Sequence, residues 1–235
     1  MSEHQGETSS ARSAEEKPAG YYSNRRPDLV AMLPRPLGRV LDVGCGEGGV
    51  ARELRGAGAS MIAGIEIDPA AAAKAAEVVD ELQVGPVEEC LGRLQGGPWD
   101  TICCYDVLEH LVDPYAVLAQ LRAAAAPSGR LHVSVPNARH LSLVADLVLR
   151  GTFGYTDWGH RDSTHLRWFT RRDIVAAIEQ AGWHVIGTSH PALHRARVAG
   201  ALTGGRSTEF LVGQWYVLAE TGRGGSEAGS SVAPK

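Results

Sequence analysis

The segment Val40-Leu41-Asp42-Val43-Gly44-Cys45-Gly46-Glu47-Gly48-Gly49 constrains this chain more than any other. A short apolar run reads as a buried strand and feeds directly into a glycine-rich turn. A helix-forming stretch over 47–56 follows at once. Strand, turn and helix in that order open a βαβ unit. Glycine lets the backbone bend sharply and lets a ligand approach the main chain closely. In open parallel sheets ligands bind beyond the carboxyl ends of the strands, so a binding site is expected at this turn.

The rest of the chain repeats the alternation. Strands are expected over 39–44, 61–67, 82–85, 99–105 and 130–135, and helices over 69–80, 114–126 and 171–181. Pro69 suits the first turn of its helix. Such alternation predicts an α/β fold with a Rossmann-like, mostly parallel sheet covered by helices on both faces. Two last strands, over 183–189 and 209–219, are expected to close it as an antiparallel pair. The stretch 137–170 breaks the rhythm. It holds one apolar helix, 141–149, and then a segment rich in histidine and aromatics, so it reads as a lid inserted after the fifth strand.

A length of 235 residues suits one such domain, expected over 21–221. The polar stretch 1–20 and the Gly/Ser-rich stretch 222–235 read as disordered tails. At 44% hydrophobic and 21% charged residues the chain can fill a core. A net charge of −4 lacks the basic footprint that nucleic acid selects, and the small cluster Arg167, Arg171, Arg172 reads as a solvated helix start. Cys45, Cys90, Cys103 and Cys104 form no CxxC pair and read as reduced, buried thiols of a cytoplasmic protein. No apolar run approaches the roughly 20 residues that span a bilayer, so no membrane span is expected. A homodimer is an open alternative to a monomer.

Gly44, Gly46 and Gly49 satisfy G-x-G-x-x-G, a weak signal alone. The acids around them say more. Asp42 stands two residues before the first glycine, where a carboxylate suits a cationic ligand group better than a pyrophosphate. Glu66 ends the second strand, 20 or so residues on, where an acid accepts hydrogen bonds from ribose hydroxyls. Ile67 follows, placed to cover an adenine face. An NAD(P)-type ligand remains open on these residues, and so does a binding module without catalysis.

The motifs VLDVGCGEGG, GIEIDP, PWDTICCYDVLEHLVDP and a Pro-Ser-Gly-Arg turn resemble those of class I S-adenosylmethionine (SAM)-dependent methyltransferases. The resemblance covers roughly 22–220. Within the class, Cys104-Tyr105-Asp106-Val107-Leu108-Glu109-His110 and Val87-Glu88-Glu89 look closest to the ubiquinone-biosynthesis O-methyltransferases and their bacterial relatives. The resemblance implies that Gly44, Cys45 and Gly46, with Asp42, border the methionine part of SAM. It implies that Glu66 takes the ribose, that Ile67 packs on adenine, and that Tyr105 offers its backbone to the cofactor. Arg26 is implied as a contact of the SAM carboxylate. Many members place an acid before the third-strand loop to bind the adenine amino group. Here Pro86 stands there, which leaves adenine to the main chain near Val87.

The activity implied is methyl transfer to a small-molecule acceptor: O-methylation of a phenol, quinol, sugar or natural-product intermediate, with N-methylation as the close variant. A hydroxyl acceptor needs a general base, and histidine titrates in the right range. Of nine histidines, His4, His184, His190 and His194 are set aside. His165 is the first candidate, His160 the second, both in the lid, and His110 follows the fourth strand. Asp106, Glu109 and His110 form D-x-x-E-H. On a helix they share one face, a spacing that can hold a divalent metal. The same residues also suit a helix N-cap with its partner three residues on, and the cap is the preferred reading.

Overall fold

The computed structural model of the chain describes residues 22–191 and 207–222. The expected tails lie outside these residues, Gly222 excepted. A short helix α1 (Pro27–Met32) precedes four βα steps and a fifth strand: β1 (Arg39–Val43), α2 (Gly49–Gly56), β2 (Met61–Glu66), α3 (Pro69–Ala75), β3 (Glu81–Val84), α4 (Val87–Cys90), β4 (Trp99–Tyr105), α5 (Pro114–Ala124) and β5 (Ala125–Pro136). Then come α6 (Leu141–Ala145), α7 (Arg171–Gln180), β6 (His184–Ser189), α8 (Thr208–Leu211) and β7 (Gln214–Glu220). The seven strands form one sheet in the order β3-β2-β1-β4-β5-β7-β6. Pairs among β1 to β5 are parallel, and β7 runs antiparallel to both β5 and β6.

Strand alternation splits the core into two layers. Val40, Ile62, Cys103 and Tyr105 pack on α1 and α2, through Leu29, Val30, Ala51 and Leu54. Leu41, Val43, Ile65, Ile102 and Cys104 face the other way, toward Leu118 and Leu121 of α5 and Ile174 and Ile178 of α7. Neighbouring Cys103 and Cys104 therefore lie in opposite layers, both fully buried thiols. The strand order reverses between β1 and β4, so their carboxyl ends diverge and leave a crevice above Val43 and Tyr105.

Four expected elements differ. β5 begins at Ala125 rather than 130, so it takes in the expected Pro-Ser-Gly-Arg turn and the last two residues of the helix expected over 114–126. The helix expected over 141–149 gives way to a π turn over Asp146–Arg150, stopped by Gly151 in the left-handed region (φ 66°). The strand expected from 209 begins at Gln214, because Thr208–Leu211 is helical; periodicity cannot separate a short apolar helix from a strand. The helix α3 ends at Ala75, short of 80. The excursion between β5 and α7 leaves and returns at one point: Asn137 bridges Phe169, and Ala138 N–H donates to the Phe169 carbonyl at 3.0 Å. No helix among the described residues is long and apolar enough to cross a membrane.

Candidate active site

The turn after β1 demands glycine for two separate reasons. Gly44 sits at φ 69°, and a Cβ there would lie 2.5 Å from Val107 Cγ2. Gly46 sits at φ 53°, and a Cβ there would strike the carbonyl oxygen of Tyr22. That carbonyl accepts the Glu47 N–H at 2.8 Å. The chain just before α1 thus lies as a strap across the glycine turn, closing it from one side.

Glu66 is buried at the end of β2. Its Oε2 accepts the Gly46 N–H at 2.8 Å and its Oε1 the Asp68 N–H at 2.9 Å, so the carboxylate is oriented by the turn it faces. Asp42 is 2% exposed, and its Oδ2 has no hydrogen-bond partner among the described residues. Burial, and then the charge of Glu66, push its carboxyl up to about 8. A pocket with two acids and an unaccepted oxygen suits a cationic guest. Both acids line a cavity of about 670 Å³ shared with Gly44, Cys45, Gly46, Ile67, Val87 and Tyr105. Ile67 is 67% exposed at its rim, an apolar surface ready for a flat ring. The Cys45 thiol is held protonated by burial and then by Asp42.

Tyr105 anchors its ring away from the crevice: its hydroxyl pairs with His132 Nδ1 at 2.9 Å in the sheet interior. Burial, and then Arg26, lower His132 to about 4, so it stays neutral. Arg26 itself carries a left-handed backbone (φ 48°), as does Asp106 (φ 56°). The Arg26 guanidinium donates to Asp106 Oδ2 at 2.7 Å and to Gln214 and Tyr216, each at 3.1 Å. Asp106 also accepts from Ser134 Oγ and Gln214 Nε2, both at 2.9 Å. It therefore caps no helix. The 3-10 turn Leu108–His110 begins at Val107 without a side-chain cap, which removes the capping explanation of D-x-x-E-H.

Glu109 instead turns inward, away from Asp106. It is 1% exposed, and neither carboxylate oxygen has a hydrogen-bond partner among the described residues. Burial, and then Asp106, push its carboxyl well above the usual range. Glu109, His110 and His165 each bring one possible ligand atom within 4.8 Å of the others, and the two imidazole centroids are 4.8 Å apart. The returning lid chain supplies the third member because the Glu109 carbonyl accepts from Leu166 N–H (2.7 Å) and Arg167 N–H (3.0 Å). A buried carboxylate with one possible ligand atom each of two imidazoles within 4.8 Å fits a divalent cation. His110 and Thr164 line the same cavity as the acids.

Comparison with known proteins agrees with this fold. A family model described as a methyltransferase domain matches residues 15–188. The chain belongs to the class I SAM-dependent methyltransferases. It is similar to the ubiquinone biosynthesis O-methyltransferase of Xylella fastidiosa (strain 9a5c), 30% identical over 203 residues and 78% of each chain. It is similar also to that of Xanthomonas axonopodis pv. citri (strain 306), 31% identical over 159 residues. That match takes in 61% of this chain and 66% of the relative, just under two thirds of its length. Among solved structures, a SAM-dependent methyltransferase from Mesorhizobium loti shares the fold, with a TM-score of 0.57 at 18% identity over 83% of this chain and 96% of that one.

Not every candidate residue of the methyltransferase meets at the crevice. Asp42, Gly44, Cys45, Gly46, Glu66, Ile67, Val87, Tyr105, Arg26 and His110 line one cavity, while His165 lies buried behind its wall. His160 stands apart: its Nε2 donates to the Gly213 carbonyl at 2.6 Å, and its ring stacks on His140 at 4.6 Å. The lid aromatics also face elsewhere. Phe153, Tyr155 and Trp168 pack on one another, and Trp158 is exposed. Of the lid, Thr164 is the residue on the cavity wall. Sequence reasoning passed over Tyr22, Asn24, His132 and Thr164. Tyr22 and Asn24 carry no motif, and their role as strap exists only because α1 folds back over the turn.

Proposed function

We propose that this methyltransferase methylates a hydroxyl oxygen of a small molecule, assisted by a divalent cation held at Glu109, His110 and His165. The observation that carries the reading is the buried Glu109 carboxylate, which has one possible ligand atom each of His110 and His165 within 4.8 Å, His110 itself lining the cavity. SAM supplies a methyl group made electrophilic by its sulfonium. A divalent cation, when bound, supplies Lewis acidity that lowers the pKa of a hydroxyl at neutral pH. The C–S bond breaks as the O–CH₃ bond forms, and the hydroxyl proton leaves to solvent. A neutral amine is a nucleophile without such help, so a buried metal-type triad favours oxygen over nitrogen.

The chain's own residues hold the two partners in line. Glu66 and the glycine turn receive the ribose and methionine parts of the cofactor, Ile67 and Val87 its adenine, and Asp42 offsets its positive charge. Tyr105 presents its backbone between cofactor and acceptor. Arg26 acts by holding Asp106 and the strap, since its guanidinium is committed to three protein partners. His165 and His110 carry the acceptor side, and His160 pins the lid to Gly213.

The test is dialysis against a chelator, followed by assays on simple catechols, phenols, sugars and amines with and without magnesium or manganese. Transfer to hydroxyl acceptors should vanish and return on adding the ion. His165→Ala should abolish the recovery of turnover on adding the ion, and His160→Ala should leave that recovery largely intact. Full activity in excess chelator, or transfer to amines alone, would overturn the reading.

A further inference from the structure

Asp162 and Thr164 form a relay onto His110 that neither the cofactor site nor the cation site requires by itself. Asp162 is 1% exposed. Its Oδ1 accepts the Thr164 N–H at 2.9 Å and the Thr164 hydroxyl at 2.7 Å. The same hydroxyl oxygen lies 3.1 Å from His110 Nδ1, and the Thr164 carbonyl lies 3.3 Å from that nitrogen.

The direction of each bond follows from what the groups can do. A carboxylate oxygen only accepts, so the single hydroxyl proton of Thr164 is drawn to Asp162. The Thr164 oxygen can then only accept from His110. A carbonyl also only accepts. Two independent acceptors therefore face Nδ1, and Nδ1 must carry a proton. In the neutral ring Nε2 is left with its lone pair.

We infer that Asp162 and Thr164 are positioning residues that lock His110 in its Nδ1–H tautomer, so that Nε2 is the atom it offers to a divalent cation. This rests on the cation site proposed above, but the tautomer itself can be read without any cation. Partners behind metal-binding histidines fix ring orientation and tautomer, and their loss commonly costs 10–100-fold in metal affinity. The relay is short because Asp162, Thr164 and His165 belong to one tight turn, in which the His165 N–H donates to the Asp162 carbonyl at 3.0 Å. One turn of the lid thus contributes one proposed ligand, His165, and the brace of another, His110.

The experiment uses the full chain labelled with ¹⁵N-histidine, free of metal, and compares wild type with Thr164→Val and Thr164→Ser. Long-range ¹H–¹⁵N spectra should show wild-type His110 as a single form, its Nδ1 protonated and its Nε2 bare. Thr164→Ser should keep that pattern. Thr164→Val removes the hydroxyl at nearly constant volume and should give mixed tautomers. Manganese titration read by electron paramagnetic resonance should show affinity lower by about tenfold or more in Thr164→Val and within about twofold of wild type in Thr164→Ser. Thermal unfolding of each variant, alone, separates loss of the relay from loss of the fold. A bare Nδ1 in the wild type overturns the relay, as does a Thr164→Val protein with unchanged tautomer and unchanged affinity. A correct tautomer with no manganese binding in any variant would keep the relay and sink the cation site instead.

Discussion

The guanidinium of Arg26 donates to the carboxylate of Asp106 at 2.7 Å, across 80 positions of sequence, and both residues hold left-handed backbones to do so. The pair joins the strap before α1 to the carboxyl end of β4. Gln214 and Tyr216 complete the clasp from β7. Three distant parts of the chain therefore meet at one side of the crevice.

Removing that clasp has a defined cost. Arg26→Ala should destabilise the protein by about 1.5–3 kcal/mol, the range for a hydrogen-bonded charged group, with solvent screening on the Asp106 side drawing it toward the lower end. Arg26→Lys should recover little, because a single ammonium cannot serve Asp106, Gln214 and Tyr216 together. Urea denaturation measures this, and a change below about 0.5 kcal/mol would show that the strap is held elsewhere.

Glu66 has two duties that substitution can separate. Glu66→Ala should weaken SAM by about 1.5–3 kcal/mol through lost charge-assisted bonds. It should also loosen the turn, because Gly46 and Asp68 lose their acceptor. Glu66→Gln keeps one acceptor oxygen and should preserve stability better than affinity. Calorimetry with SAM beside thermal unfolding tests the split; equal SAM affinity in all three proteins would place the ribose on other groups.

Asp42 makes the SAM-free protein sensitive to pH. Its carboxyl ionises near 3.8 in an unfolded chain and near 8 in the folded one. Between those values the folded state binds more protons, so stability falls as pH rises through the window. Asp42→Asn should flatten that slope. A cation placed beside Asp42 favours its charged form, so SAM binding at pH 7 should release protons. Binding heats measured in two buffers of different ionisation enthalpy report the release, and identical heats would mean that no proton leaves.

At Gly46 the strap, as much as the cofactor, forbids a side chain. Gly46→Ala adds a Cβ against the Tyr22 carbonyl at a left-handed position. The expected loss is about 1–3 kcal/mol of stability, together with weaker SAM binding. Wild-type affinity in a folded Gly46→Ala protein would show that the strap yields freely.

Local chemistry made much of this protein readable. Strand periodicity, the glycines after Val43 and the acid at the end of the next strand depend on residues close in sequence, and they specified the parallel core, the crevice and the half of the candidate site proposed for SAM. The ends of the fold were less legible: the segment 209–219, expected as one strand, is divided into the end of α8 and β7, and only the pairing of β7 between β5 and β6 decides where the strand begins. The half of the candidate site proposed for the acceptor was decided by tertiary structure. D-x-x-E-H reads as one helical face, yet Asp106 is drawn outward by Arg26, while Glu109 turns inward because the returning lid chain bonds to its carbonyl. His165 meets His110 only through that crossing. Contacts between residues 55 positions apart are set by where the sheet carries the chain, and no local pattern encodes them.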